Sequence, residues 1–320
     1  MFPPAYTSYR FTPAVPQPAP GSSRNDATFG RLTNSTLAAS ITYEASTQTY
    51  YTIRYLADRP LVDNAYRAYA YFRWVDDVVD QANLEKAERL AFLARQQEII
   101  ERCYQGKRPN GLRREEQMVV DLIHSDGGAP SGLQTYIHEM MAVMAFDAER
   151  RGRLITEAEL NEYTRSLATA VTELLHHFIG HDRFSPHDES RYLAVTGAHV
   201  THLLRDTIGD TAAGYYNVPQ EYLEARGIAP VDVTHEAFRA WVQSRVQLAR
   251  SCLAAGKDYM ARVENFRCRL AGYAYIGRFE IILDAIQRDN YRLRPAYPER
   301  KSKKHILRIA LAALAQSAGR

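Results

Sequence analysis

Apolar residues recur every three or four positions along most of the chain, which is the spacing that places them on one face of a helix. Prolines and glycines interrupt this pattern at Pro60, 109–111, 127–130, 180–186 and Pro219. Alternating strand patterns bounded by hairpin turns are not evident in the sequence. The pattern predicts helices over about 36–57, 62–82, 84–105, 113–124, 130–150, 156–180, 188–212, 233–262, 265–290 and 302–317.

The chain has 320 residues, which is enough for one large hydrophobic core, and it shows no internal repeat. Its first 20 residues contain six prolines: Pro3, Pro4, Pro13, Pro16, Pro18 and Pro20. Such a composition cannot bury enough apolar surface to fold, so residues 1–30 are predicted to be a disordered leader. The remaining residues, 31–320, are predicted to form a single all-α domain, a helical bundle.

Charge and cysteine content limit the classes of function. Lys plus Arg total 40 and Asp plus Glu total 37, a net charge of +3, which argues against a nucleic-acid-binding protein. Cys103, Cys252 and Cys268 are widely spaced and have no metal-binding spacing. They are interpreted as reduced thiols that fill the core of a cytoplasmic protein.

The C-terminal segment 301–315 begins with basic residues and continues as an apolar run. No segment approaches the roughly 20 apolar residues that span a bilayer, and the N-terminus lacks the pattern of a secretory signal. An ordinary terminal helix is the favoured interpretation. Peripheral contact with a membrane surface is a second role that this pattern fits.

The first candidate site lies in the predicted helix 62–82, where Arg73, Asp76, Asp77 and Asp80 fall close together. Asp76 and Asp80 are four residues apart and therefore share a helix face. Adjacent carboxylates repel one another unless a cation lies among them. A divalent cation that carries a phosphorylated ligand fits this need. A solvated run of charge explains a lone cluster of this kind equally well.

A second pair, Asp206 and Asp210, lies in the predicted helix 188–212, beside Arg205 and on one face with His199 and His202. Two such helices facing each other would hold a diphosphate through Mg²⁺, with Mn²⁺ as an alternative ion. Arg73 and Arg205 would contact phosphate oxygens. A neutralised diphosphate is a good leaving group. Its departure from an allylic carbon leaves a carbocation, which needs a dry pocket.

Several segments resemble motifs of the squalene and phytoene synthases. Residues 69–80 closely resemble the first aspartate-rich motif of that family, and 203–210 resemble the second. Residues 146–147 and 163–173 are similar to its middle segments, 47–51 to its hydroxyl-rich substrate flap and 279–291 to its final core helix. The resemblance covers roughly residues 40–305.

The resemblance implies an all-α isoprenoid-synthase fold with a central cavity. It implies a Mg²⁺-dependent prenyltransferase that condenses two prenyl diphosphates, farnesyl or geranylgeranyl, head to head. By position, Asp76, Asp80, Asp206 and Asp210 would hold the metal. Tyr163 would act near the reacting carbons. The implied substrate-binding residues are Thr49, Tyr69, Arg73, Asp77, His199, His202, Arg205 and Tyr215.

The second motif departs from the family pattern. His202 replaces the usual Asn, His199 a Gln, Gly209 an acidic residue, Tyr215 an Arg and Asn217 a Tyr. The histidines are open to three interpretations: satisfied core residues, imidazolium groups that bind phosphate, or a general base towards a carbocation.

These departures leave other functions open. One is an enzyme of the same fold that ionises a single prenyl diphosphate and prenylates an aromatic acceptor or cyclises the chain. Another is a non-catalytic helical scaffold. The use of NADPH and the oligomeric state are not decided by the sequence.

Overall fold

A computed structural model describes residues 26–81, 83–126, 131–180, 185–301 and 303–318. These residues form twelve α-helices and three short 3₁₀ helices, and they contain no β-strand. The helices are α1 Asp26–Ala45, α2 Thr47–Leu56, α3 Val62–Val79, α4 Lys86–Tyr104, α5 Arg114–Ser125, α6 Gly132–Arg150, α7 Glu157–Phe178, α8 Leu193–Ala212, α9 Gln220–Arg226, α10 Glu236–Arg262, α11 Phe266–Arg288 and α12 Lys303–Ala318. The prediction of an all-α fold is confirmed.

The N-terminal part of the bundle differs from the prediction. The single helix predicted over 36–57 is two helices, because Ser46 adopts an extended backbone and its hydroxyl caps α2 by accepting from the Thr49 amide. Helix α1 begins at Asp26, inside the range predicted as leader and six residues after the last leader proline, Pro20. Residues 1–25, which make up most of the predicted leader, lie outside the described residues.

Helix α9 is absent from the predicted set. It spans seven residues, begins directly after Pro219 and ends at Gly227, which adopts a left-handed conformation with φ of 61°. A helix this short gives too few apolar repeats for a periodic signal, although the proline before it and the glycine after it mark its ends.

Helix α8 lies in the interior and packs closely on α10. The approach depends on glycine, since a Cβ added at Gly256 would lie 2.7 Å from the Cα of Ala194. A Cβ at Gly197 would lie 2.8 Å from the carbonyl oxygen of Ala249. On its other side α8 contacts α7, and α7 packs on α6. Helices α6, α7 and α8 thus present side chains to one another across a common space.

The three cysteines are buried and free, as expected for thiols that fill a core. Helix α12 packs on α11, and the side chain of Ile309 in α12 lies next to Gly277 in α11. Its outer face exposes Leu307, Leu311 and Leu314. Within the described residues, no helix is long and apolar enough to cross a membrane.

Candidate active site

The first aspartate cluster occupies the last turn of α3. Asp76 is buried, whereas Asp77 is exposed and forms two hydrogen bonds with Arg73, one of them 3.1 Å long from Nε. Arg73 Nη1 also lies 3.5 Å from the carboxylate of Asp76. Burial and the neighbouring charge of Asp80 hold the pKa of Asp76 well above its usual range. Arg73 therefore only partly compensates the negative charge of its own motif.

Asp80 follows α3 at its C-terminal cap and keeps part of its surface exposed. Loss of hydration around its carboxylate, with Asp147 nearby, raises its pKa to about 6. The hydroxyl of Tyr215 donates to Asp80 Oδ1 at 3.3 Å and opposes this shift. Tyr215 thus contacts the first aspartate motif through its hydroxyl group.

The second cluster lies on α8. Arg205 donates to both carboxylate oxygens of Asp206, at 2.6 Å from Nε to Oδ1. Asp210 accepts from Nδ2 of Asn217 at 2.8 Å. Burial, together with the charge of Asp206, raises the pKa of Asp210 to about 7. Like Asp80, Asp210 carries negative charge that nearby cations do not fully offset.

A buried ion pair on α6 connects the two clusters. Arg150 Nε donates to Asp147 Oδ1 at 2.6 Å, and the hydroxyl of Tyr163 donates to Asp147 Oδ2 at 2.9 Å. Arg150 Nη1 donates to Asn217 Oδ1 at 2.8 Å, and Asn217 in turn donates to Asp210. The guanidinium also lies 5.0 Å from the ring centroid of Tyr215. The Asp147–Arg150 pair is therefore linked to both aspartate motifs, to Asp80 through Tyr215 and to Asp210 through Asn217.

Sequence reasoning missed the roles of Arg150 and Asn217, and it noted Asp147 only as part of a resemblance. A signal was present, because Asp147 and Arg150 are three residues apart in a helix whose neighbouring turns contain Met140, Val143 and Met144. A buried charge pair in an apolar helix needs partners. Those partners come from α7 and from the segment after α8, so sequence spacing could not name them.

A cavity that opens to solvent lies between α6, α7 and α8. One part of its wall is apolar: Met140, Val143, Met144, Leu167 and Leu203. The other part is polar: Arg150, Tyr163, His199, His202, Asp206, Asp210 and Tyr215. The acidic groups of α8 therefore share a hollow with a surface suited to a hydrocarbon chain.

The two histidines have different surroundings. His199 is only 4% exposed and meets the Tyr163 ring edge-on, with centroids 4.9 Å apart. Burial, reinforced by the charge of Arg150, lowers the pKa of His199 to about 3. The ring is therefore neutral without a ligand, and its role towards a bound diphosphate stays a prediction. His202 lies edge-on to Phe279 of α11, 4.7 Å between centroids.

Thr49 and Tyr69, the predicted substrate-flap and donor-site residues, are both buried and are not among the residues that line this cavity. They lie where α2, α3 and α11 meet, and Arg278 of α11 donates to Gln48 at 3.2 Å there. Burial raises the pKa of Tyr69 to about 12. The charges of Arg73 and Asp76 also affect the pKa of Tyr69, so this region borders the first aspartate cluster.

The acidic residues fit a magnesium–diphosphate ligand. Within the described residues, no three His, Cys, Asp or Glu side chains are already grouped as a metal centre. However, the raised pKa values of Asp76, Asp80 and Asp210 identify carboxylates that a nearby divalent cation would stabilise. Their oxygens are the ligand type that Mg²⁺ prefers, with phosphate oxygens and water completing its coordination.

Comparison with known proteins gives the same fold. The chain superimposes on a squalene synthase HpnC from Alicyclobacillus acidocaldarius with a TM-score of 0.65 and 19% identity, covering 83% of this chain and 97% of that one. A dehydrosqualene synthase in complex with ligand gives a TM-score of 0.70 and 17% identity, covering 89% and 96%. The predicted isoprenoid-synthase bundle is therefore confirmed.

No curated protein matches the chain. The model of the squalene/phytoene synthase family matches residues 43–305, which include both aspartate clusters, the Asp147–Arg150 pair and the cavity wall. The chain therefore belongs to the squalene/phytoene synthase family of prenyltransferases.

Proposed function

We propose that this protein uses Mg²⁺ to ionise allylic prenyl diphosphates and joins two of them head to head, with farnesyl or geranylgeranyl diphosphate as substrate. The observation that carries the proposal is the convergence of Asp80 and Asp210 on the Asp147–Arg150 pair, beside a cavity whose wall is partly apolar. Membership of a head-to-head synthase family supports the same reaction.

The proposed metal ligands are Asp76, Asp80, Asp206 and Asp210. When bound, Mg²⁺ neutralises the diphosphate and so makes it a better leaving group. Arg73 and Arg205 hold Asp77 and Asp206 in fixed orientations through their ion pairs. Arg150 adds a positive charge at the polar wall of the cavity, where the negative charge of a departing diphosphate grows.

The cavity wall shapes the reaction after ionisation. Met140, Met144 and Leu167 exclude water from a carbocation, which water would otherwise capture. Tyr163 is held in place by its hydrogen bond to Asp147 and by the ring of Phe146, 5.0 Å away between centroids. A fixed aromatic group at this point limits the positions that the reacting carbons can take in the cavity.

The test is incubation of the protein with Mg²⁺ and either farnesyl or geranylgeranyl diphosphate alone. Pyrophosphate release and mass spectrometry of the extracted hydrocarbons are the measurements. We expect a C30 or a C40 product. Asp80→Asn and Asp210→Asn should each lower turnover by about 100-fold or more. Asp258→Asn changes an exposed aspartate of α10 and should leave turnover unchanged. Equal activity in all four proteins would contradict the site assignment.

A single-ionisation enzyme is the second candidate function. It is favoured by the two imidazoles in the cavity wall and by Tyr215, whose hydroxyl bonds Asp80 at the position of a phosphate-binding Arg in the family. An acceptor-prenylating enzyme of this kind would form no hydrocarbon from a prenyl diphosphate alone, whereas a cyclase would form one with the carbon number of its single substrate. Addition of electron-rich aromatic acceptors would then give a prenylated product, detected by its mass.

We also propose that the protein works in the cytoplasm and touches an anionic membrane surface through α12. Leu307, Leu311 and Leu314 recur at helical spacing and are 60%, 59% and 46% exposed. Arg308 is exposed beside them, and no acidic residue occurs from 300 to 320. An apolar stripe with adjoining basic residues suits an anionic bilayer, which would take up a hydrocarbon product.

A further inference from the structure

The cavity wall contains His199, an imidazole that has no part in the proposed binding of metal and diphosphate. His199 is 4% exposed and lines the cavity, and its Nε2 has no hydrogen-bond partner among the described residues. A buried polar atom without a partner costs free energy, so such atoms in native proteins usually face a ligand or water. The ligand of this cavity is therefore the expected partner of Nε2.

The surroundings of His199 fix both its position and its protonation state. The ring meets Tyr163 edge-on, and Tyr163 is itself held by Asp147. Burial and the charge of Arg150 lower the pKa of His199 to about 3, so the ring is neutral at physiological pH. With the ring proton on Nδ1, Nε2 presents a lone pair. A neutral imidazole in the cavity wall can accept a proton from a carbocation, which is a very strong acid.

We propose that His199 Nε2 accepts the proton that the product carbocation loses in the last step, an assignment that rests on the proposed function. The electron pair of a C–H bond next to the cationic carbon becomes the new double bond, and the proton bonds to Nε2. The guanidinium of Arg150 disfavours a lasting charge on the ring. The proton therefore moves on to an oxygen of the released diphosphate, which carries it out of the site.

This assignment determines the type of product. Termination by proton loss needs no hydride donor, so the hydrocarbon forms equally with and without NADPH. It contains two hydrogen atoms fewer than a hydride-terminated product of the same carbon number. With substrate deuterated at C1, it retains one deuterium fewer than the hydride-terminated product. Mass spectrometry measures all three consequences on the wild-type protein.

The direct test replaces the imidazole with an amide. In His199→Gln we expect pyrophosphate release to stay within about threefold of wild type, because the metal-binding residues are intact. The proton-loss hydrocarbon should fall by about tenfold or more, the lower range of general-base effects, and an alcohol formed by water capture should replace it. His138→Gln, an exposed histidine of α6, is the matched control and should behave like wild type. A His199→Gln protein that gives the wild-type product at the wild-type rate would overturn the proposal.

Chemical rescue separates a proton acceptor from a structural residue. His199→Ala leaves a space in the cavity wall that free imidazole can enter. We expect added imidazole to restore the hydrocarbon without changing pyrophosphate release, whereas no rescue at any imidazole concentration would contradict the role of His199. A wild-type protein that releases no pyrophosphate would instead contradict the proposed function itself, before the variants are compared.

Discussion

The Tyr215 hydroxyl donates to Asp80 across 3.3 Å, although the two residues are 135 positions apart in the sequence. This bond joins the segment that follows α8 to the end of α3. It lowers the pKa of Asp80, whereas desolvation and the charge of Asp147 raise it, and with the bond in place this pKa is about 6. A tyrosine at this position therefore helps keep Asp80 ionised and available to a cation.

Tyr215→Phe should weaken the affinity for Mg²⁺ with pyrophosphate by about three- to tenfold, which corresponds to the roughly 1 kcal/mol that a typical hydrogen bond contributes. Without the hydroxyl the pKa of Asp80 rises, so the loss should be larger at pH 6 than at pH 8. Titration calorimetry at both pH values measures this. Tyr55→Phe, an exposed tyrosine of α2, is the control. The same loss at both pH values would show that the hydroxyl does not act through Asp80.

Asp210→Asn should stabilise the ligand-free protein above pH 7. Burial and Asp206 raise the pKa of Asp210 to about 7 in the folded state, against about 3.9 when unfolded. The folded state therefore binds the proton more tightly, and stability falls as pH rises from about 4 to 7. The amide removes this loss, so the Tm of the variant should exceed that of wild type at pH 8 and approach it at pH 5.

The same variant should lose the stabilisation that Mg²⁺ and pyrophosphate give to wild type, because a neutral amide attracts the cation less. Differential scanning fluorimetry with and without the ligands measures both effects. An Asp210→Asn protein that is less stable than wild type at pH 8 and still gains the full ligand shift would contradict the role of Asp210.

Gly256→Ala should destabilise the bundle by about 2 kcal/mol or more, within the range for overpacked cores. The added Cβ would lie 2.7 Å from the Cα of Ala194, and backbone cannot move aside cheaply. Gly209→Ala is the matched control, since a Cβ there meets nothing within 4 Å. Because alanine replaces a glycine inside a helix, this variant should be more stable than wild type by about 0.5–1 kcal/mol. Urea unfolding of both variants measures the difference, and equal midpoints would contradict the close packing of α8 on α10.

Replacement of Leu307, Leu311 and Leu314 by Asn should abolish the binding of the protein to vesicles that contain phosphatidylglycerol, because the apolar face of α12 is lost. Co-sedimentation measures the bound fraction. Wild type should bind these vesicles more strongly than neutral phosphatidylcholine vesicles, and high salt should weaken the binding. Leu248→Asn, a partly exposed leucine of α10, is the control. Undiminished binding of the triple variant would show that α12 is not the contact.

Sequence patterns predicted most helices within a few residues because their apolar periodicity is strong and their ends contain proline, glycine or polar caps. The sequence pattern did not predict the break between α1 and α2, because the helix is interrupted at Ser46 and not at a proline or glycine. The spacing of Asp76 with Asp80, and of Asp206 with Asp210, also followed from the sequence. Residues four apart share a helix face wherever the helix lies.

By itself, the sequence determined the all-α class, the two aspartate faces and the family resemblance, since these depend on local spacing along the chain. Only the tertiary structure decided that Asp80 and Asp210 meet the Asp147–Arg150 pair, that Asn217 connects Arg150 to Asp210, and that His199 is a neutral ring in a cavity wall. The physical reason is that ion pairing, desolvation and cavity shape depend on neighbours from distant segments. The local sequence determines which side chains lie on each face of a helix, whereas packing determines which residues those side chains contact.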